Sequence, residues 1–214
     1  LRPSIETSLH AIIPSKFVIH THPLDLIAHT VLPESKNFFK NTLSGYKWNW
    51  IEYVKPGVEI AKKIIKFNNK DESQIYILEN HGLIISGNNH IELLEIQKDI
   101  FKRIKIQSRE IPEVNFNLLN KLLKFIQNKG IQAKLPRFKS IHSLAIDKLS
   151  FDLANKNPLF PDQVVFSGLR PLVCKEKDLL EQSNLNYSDR QYLIIENVGV
   201  IMLNNYSLAT EDIL

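Results

Sequence analysis

The sequence predicts an α/β protein built on a mixed sheet. Three observations carry that reading. Apolar stripes at helical spacing recur, as in Val58, Ile60, Ala61, Ile64 and Ile65. Short apolar runs of strand length stop at turn residues, as Phe17 to His22 stops at Pro23. The two patterns alternate along the chain, which favours helices packed on a sheet.

Taken in order, Ser4 is placed to cap a first helix, with Glu6 in its first turn and Ile5, Leu9, Ile12 and Ile13 as its apolar stripe. Pro14 ends it. Phe17–His22 reads as a strand, and Leu24–Leu32 as a helix. Lys40–Val54, with Trp48 and Trp50, gives no assignable pattern. Pro56-Gly57 opens a helix to Phe67. Gln74–Leu78 is a strand of buried type, Glu79-Asn80-His81-Gly82 a turn, and Leu83-Ile84-Ile85 the next strand, closed by Ser86-Gly87-Asn88-Asn89. A long helix follows from Ile91 to Ile106. Pro112 marks a boundary between a first region, 1–111, and a second, 112–214. The second is expected to hold helices at Phe116–Gln127 and Ile141–Leu153 and strands at Gln163–Phe166 and Gln191–Ile195.

The chain carries an internal echo. Ile75–Ile85 reads IYILENHGLII and Tyr192–Met202 reads YLIIENVGVIM, with Val198 where the first has His81. Either two similar hairpins or a second half of similar architecture without the histidine accounts for it.

Composition narrows the function. Of 214 residues, 43% are hydrophobic and 23% charged, as in a soluble globular protein. The net charge of +4 comes from scattered lysines such as Lys62, Lys63, Lys66, Lys121 and Lys124. Without an Arg-rich stripe or a nucleic-acid motif, no nucleic-acid partner is expected. A phosphorylated small molecule suits the charge equally well. The single cysteine, Cys174, excludes a disulfide framework and a multi-cysteine zinc knuckle, and a reducing, cytoplasmic setting is expected. No apolar run reaches the roughly 18 residues of a membrane span, so no membrane partner is expected. The first residue is Leu1 rather than a methionine, which is compatible with a piece of a longer protein.

The chemistry concentrates in the first region. In His20-Thr21-His22 the two imidazoles share one face of a strand and can chelate one ion. On spacing alone, a half-exposed strand competes with that reading. His81, at a strand end before Gly82, supplies a third ligand, the number that catalytic zinc sites use while keeping a position open. Its alternative is a turn histidine bonded to backbone. Glu6 and His10 share one helix face at i and i+4, as a surface pair or as a carboxylate aimed at the ion with a supporting imidazole. His29, His90 and His142 read as structural. GxGxxG, P-loop and GxSxG motifs are absent.

These pieces, in this order, resemble the class II aldolase/adducin family: Pro3-Ser4-Ile5-Glu6 with His10, Phe17-Val18-Ile19-His20-Thr21-His22-Pro23, Pro56-Gly57, and Leu78-Glu79-Asn80-His81-Gly82-Leu83. A weaker similarity links Pro158–Phe166 and Glu196–Val200 to the aldolase part of bifunctional rhamnulose 1-phosphate aldolase/dehydrogenase proteins. The resemblance implies a three-layer α/β/α sandwich with a mixed, largely antiparallel sheet. It implies Zn2+ or another divalent ion on His20, His22 and His81, with Glu6 as proton carrier, Ser4 on the substrate phosphate, and His10 and Asn80 supporting the site. It further implies a sugar-phosphate substrate, a homo-oligomer (usually a tetramer), and retro-aldol cleavage of a ketose 1-phosphate of fuculose or rhamnulose type. Ketose-phosphate epimerases, dehydratases and non-catalytic adducin-like modules share the framework. The sequence departs from the family in having Ile5 where several members have a second serine, and in lacking the N-terminal Gly/Asn/Ser loops that complete the phosphate pocket.

Overall fold

Side chains alternate across a strand, so a strand buried on both faces must serve two cores at once. Both central hairpins do this in a computed structural model of the chain, which describes residues 3–68, 75–181, 185–203 and 206–214. The chain divides into two compact units, Leu1–Gln107 and Ser108–Leu214.

In the first unit the order is α1 (Thr7–Ile12), β1 (Phe17–Thr21), α2 (Leu24–Thr30), α3 (Ser35–Thr42), β2 (Trp48–Ile51), α4 (Val58–Asn68), β3 (Ile75–Leu78), β4 (Gly82–Gly87) and α5 (His90–Arg103). The sheet runs β1-β4-β3-β2, antiparallel at the first two pairings and parallel at the last. Ile75, Ile77, Leu83 and Ile85 face a core with Leu26, Phe39, Leu93 and Ile100 from α2, α3 and α5 and with Leu43 just after α3. Tyr76, Leu78 and Ile84 face the opposite core, with Leu9 of α1 and Ile60 and Ile64 of α4. Helices therefore cover both faces, giving an α/β/α unit. Every β3 residue is buried, and each buried aliphatic contributes about 1.5–3 kcal/mol, so the β3–β4 turn projects from a rigid base.

The second unit holds α6 (Phe116–Asn128), β5 (Ala133–Lys134), a 3-10 turn (Lys139–His142), α7 (Ser143–Ile146), α8 (Lys148–Ala154), α9 (Pro161–Ser167), β6 (Leu172–Cys174), α10 (Glu176–Leu180), β7 (Tyr192–Ile195), β8 (Gly199–Leu203) and α11 (Leu208–Ile213). Its sheet runs β5-β8-β7-β6 with the same sequence of antiparallel and parallel pairings. Among the described residues, no helix is long and apolar enough to cross a membrane.

Several sequence expectations change. Gln163–Phe166 is helical, within α9: Pro161 starts the helix, Asp162 favours its first turn, and Gly168, at φ 81°, ends it. Val164 and Val165 stay exposed there, so the apolar run is not a buried strand. The helix expected over Ile141–Leu153 breaks at Asp147, whose extended backbone (ψ 122°) and side chain cap α8 through the Ser150 N–H. The unassigned stretch after Lys40 contains the end of α3 and all of β2. Helix α1 begins after Glu6 rather than after Ser4. Gln74, the expected first residue of its strand, lies outside the described residues.

Candidate metal centre

The site forms where the end of β1, the β3–β4 turn and the residue ahead of α1 meet. The register pairs His20 with Ile84 and Thr21 with Leu83, which sets the His20-Thr21-His22 segment beside the start of β4. Asn80 makes the turn possible with a left-handed backbone, φ 47°, and asparagine is among the few side chains that tolerate it. The Asn80 N–H donates to Oγ1 of buried Thr30 (2.9 Å), and the His81 N–H to the Leu78 carbonyl (3.2 Å). Gly82 allows the closest approach. A Cβ there would collide with the Thr21 carbonyl oxygen and lie 2.8 Å from His22 Cδ2.

The imidazoles and the carboxylate converge. Glu6 Oε1 lies 3.1 Å from His20 Nε2, 3.2 Å from His81 Nε2 and 3.6 Å from His22 Nε2. His22 Nε2 is 2.9 Å from His20 Nε2. One ligand atom from each of Glu6, His20, His22 and His81 falls within 4.8 Å of all the others. His81 is buried, and the side chains of His22 and Glu6 keep about a fifth of their surface open. The site is thus reachable from solvent on one side.

The hydrogen bonds dictate protonation. The His20 Nδ1–H donates to the Leu83 carbonyl at 3.0 Å, so in neutral His20 the bare Nε2 faces the Glu6 carboxylate. Two lone pairs 3.1 Å apart repel unless a proton or a cation lies between them. The three imidazoles, His20 first, then His22 and His81, hold the Glu6 carboxyl far below the usual carboxylate range, against the opposing effect of burial. An anionic oxygen with three convergent nitrogens is a donor set that could hold a divalent metal ion.

The other sequence-nominated residues lie further out. His10 is exposed, its ring centre 6.4 Å from that of His20. Ser4 is exposed, and its Oγ accepts the Glu6 N–H at 3.2 Å, steadying the turn that presents the carboxylate. Asn80 shapes the turn through its backbone; its Oδ1 and His81 Nδ1 are buried without a partner among the described residues. Sequence reasoning missed the Leu83 carbonyl and Thr30. Neither has a residue-type signature, since one acts through backbone and the other across 50 residues of chain.

Residues 1–99 match the Class II Aldolase and Adducin N-terminal domain family. A Bacillus subtilis protein described as the uncharacterized oxidoreductase YuxG is 37% identical over 87 residues, which is 40% of this chain and 12% of that protein. The chain thus spans about an eighth of that relative's length. Among solved structures, the N-terminal class II aldolase domain of a conserved protein from Thermoplasma acidophilum is similar at 28% identity and TM-score 0.43, over 48% of this chain and 46% of that one. An aldolase II superfamily protein from Pseudomonas syringae is similar at 18% identity and TM-score 0.35, over 59% of this chain and 62% of that one.

Proposed function

We propose that the first unit binds one divalent metal ion, zinc by preference, on His20, His22 and His81, and uses it with Glu6 in the retro-aldol cleavage of a ketose 1-phosphate. The observation that carries the reading is the bare His20 Nε2 facing Glu6 Oε1 in a ring of four converging ligand atoms, which asks for a cation at its centre. When bound, such an ion supplies Lewis acidity to a ketone oxygen and stabilises the negative charge that develops as the carbon–carbon bond breaks.

The chain's own groups do the rest. Leu83 fixes the His20 tautomer, so Nε2 stays available as a ligand. Glu6, ionised and beside the ligand nitrogens, is placed to take and return the proton at the reacting carbon. Ser4, two residues before it, would meet the substrate phosphate, on the family resemblance alone. Dihydroxyacetone phosphate and a short aldehyde are the expected products. A homo-oligomeric, cytoplasmic enzyme belongs to the same proposal, on the family resemblance alone.

Glu6→Gln tests it. The amide keeps the size but cannot carry the proton. The expected result is retained zinc with turnover lost on a panel of ketose phosphates. Full turnover in that variant refutes the role of Glu6. Epimerisation or dehydration would use the same groups, and the products formed from the panel separate these reactions.

A further inference from the structure

We infer that Ser108–Leu214 is a second copy of the same domain whose ion position has been closed. The part concerning ions rests on the preceding reading; the duplication does not.

Within the two central hairpins the correspondence holds residue by residue at the offset that lays Glu196 on Glu79. Ile75, Ile77, Leu83 and Ile85 then fall on Tyr192, Ile194, Val200 and Met202, and each set shares one core of its unit. Tyr76, Leu78 and Ile84 fall on Leu193, Ile195 and Ile201, in the opposite core of each. Helices follow suit: α1 and α4 line one core and α6 and α10 its counterpart. The turns share two backbone bonds and differ in a third, where the Asn80 N–H donates to Thr30 Oγ1 and the Asn197 N–H to the Ala145 carbonyl. The Glu79 N–H donates to the Ile51 carbonyl at 3.0 Å and the Glu196 N–H to the Cys174 carbonyl at 2.9 Å. The His81 N–H donates to Leu78 and the Val198 N–H to Ile195. Asn80 and Asn197 are both left-handed, at φ 47° and 61°. Two unrelated hairpins need not share the neighbouring parallel strand, the core facing of each residue and the helices on each side.

The ligands are what differ. Val198 replaces His81. β5 pairs Ala133 with Leu203 and Lys134 with Met202, as β1 pairs Val18 with Ser86 and Ile19 with Ile85. The next residues therefore put Leu135 at the place of His20 and Arg137 at the place of His22. Pro136 lies between them, and the strand has already ended. The amide that strand would face is satisfied differently: the Val200 N–H donates to Nδ1 of buried His142 at 3.1 Å. His142 also abuts the turn glycine. A Cβ on Gly199 would lie 3.1 Å from its Nδ1, much as one on Gly82 would meet His22. An imidazole thus sits against the turn in both units, as a side chain aimed at a carboxylate in one and as a strut for backbone in the other. Arg137 turns to Glu211 and Asp212. Among the described residues, the metal-competent cluster is in the first unit alone.

The test uses the full chain with 15N-labelled histidine, titrated with zinc. The expected result is that the His20, His22 and His81 resonances move while His142 does not, its Nδ1 giving the signature of a hydrogen-bond acceptor throughout. Metal analysis should find one zinc per chain, and none in the His20→Ala/His22→Ala/His81→Ala variant. A zinc retained by that variant, or a His142 resonance moved by zinc, overturns the closed copy. If the wild type takes up no zinc, the proposed function fails, and His81→Val judges the duplication separately. Valine already fills the matching turn, so the apo variant should melt within about 4 °C of the apo wild type. A larger loss overturns the equivalence.

Discussion

The turns of the two units differ at their third residue, His81 in one and Val198 in the other, while sharing the left-handed asparagine before it and the glycine after it. Both residues are almost wholly buried, at 3% and 5% exposed. The valine is at rest there: it belongs to the same buried apolar cluster as Leu119, Leu122 and Ile195. The histidine is not, since its Nδ1 lacks a partner among the described residues and its Nε2 faces a carboxylate. Burying a polar group without a full set of partners costs free energy. The comparison teaches that this fold needs the Asn-x-Gly turn for its geometry and the histidine for something outside the fold.

The largest effects should come from breaking that asymmetry at the ligands. His81→Ala should lower zinc affinity at least about 100-fold, since even supporting residues around metal sites are worth 10–100-fold. Val198→Ala should leave zinc affinity unchanged and lower stability by about 1–3 kcal/mol through the cavity it opens. Isothermal titration and denaturant unfolding on both variants separate the two outcomes. Equal losses of zinc affinity would erase the distinction between the units.

The two glycines give the next contrast. Gly82→Ala drives a methyl group into the Thr21 carbonyl and the His22 ring, which must move. Zinc affinity should fall about 10-fold or more, on the scale of lost ligand orientation. Gly199→Ala meets Leu119 and His142 at 3.0–3.2 Å and should cost about 1–3 kcal/mol of stability with no effect on zinc. Gly82→Ala with unchanged affinity would show that the approach of the two segments is not what sets the site.

The ligand types were legible in the sequence because metal chemistry demands particular side chains, and His20-Thr21-His22, His81 and Glu6 show them openly. Their convergence was not legible. It depends on the β1–β4 register and on the Leu83 carbonyl, which any residue would supply. The alternation of helix and strand was readable from apolar spacing. The α9 segment misled because Val164-Val165-Phe166 has the composition of a strand, while the Pro161 and Gly168 that bracket it favour a helix. β2 escaped because it is a four-residue strand only partly buried at three of its positions. The internal echo was visible as letters. Its meaning needed the hydrogen bonds of both turns.

Smaller effects concern titration in the second unit. Burial pushes the His142 imidazole below its ordinary value of 6.5. Above that value both folded and unfolded chains hold it neutral. Below it the unfolded chain binds a proton that the native state refuses, so stability falls as pH drops from about 7 to 5. His142→Gln should flatten that slope in denaturant unfolding measured across this range; an unchanged slope assigns the dependence elsewhere. Smallest of all, burial pushes the Cys174 thiol up to about 11. Native protein should resist alkylation at pH 8 and react once per chain when unfolded. Rapid reaction of the native thiol would contradict its burial.

X-ray absorption at the zinc edge of the loaded full chain tests the central claim most directly. Three imidazole nitrogens at about 2.0–2.1 Å with oxygen completing the shell is the expected result, and the imidazole signal should disappear in the His20→Ala/His22→Ala/His81→Ala variant. A spectrum without imidazole scattering, or one unchanged in that variant, would mean that these side chains meet for some other reason than to hold an ion.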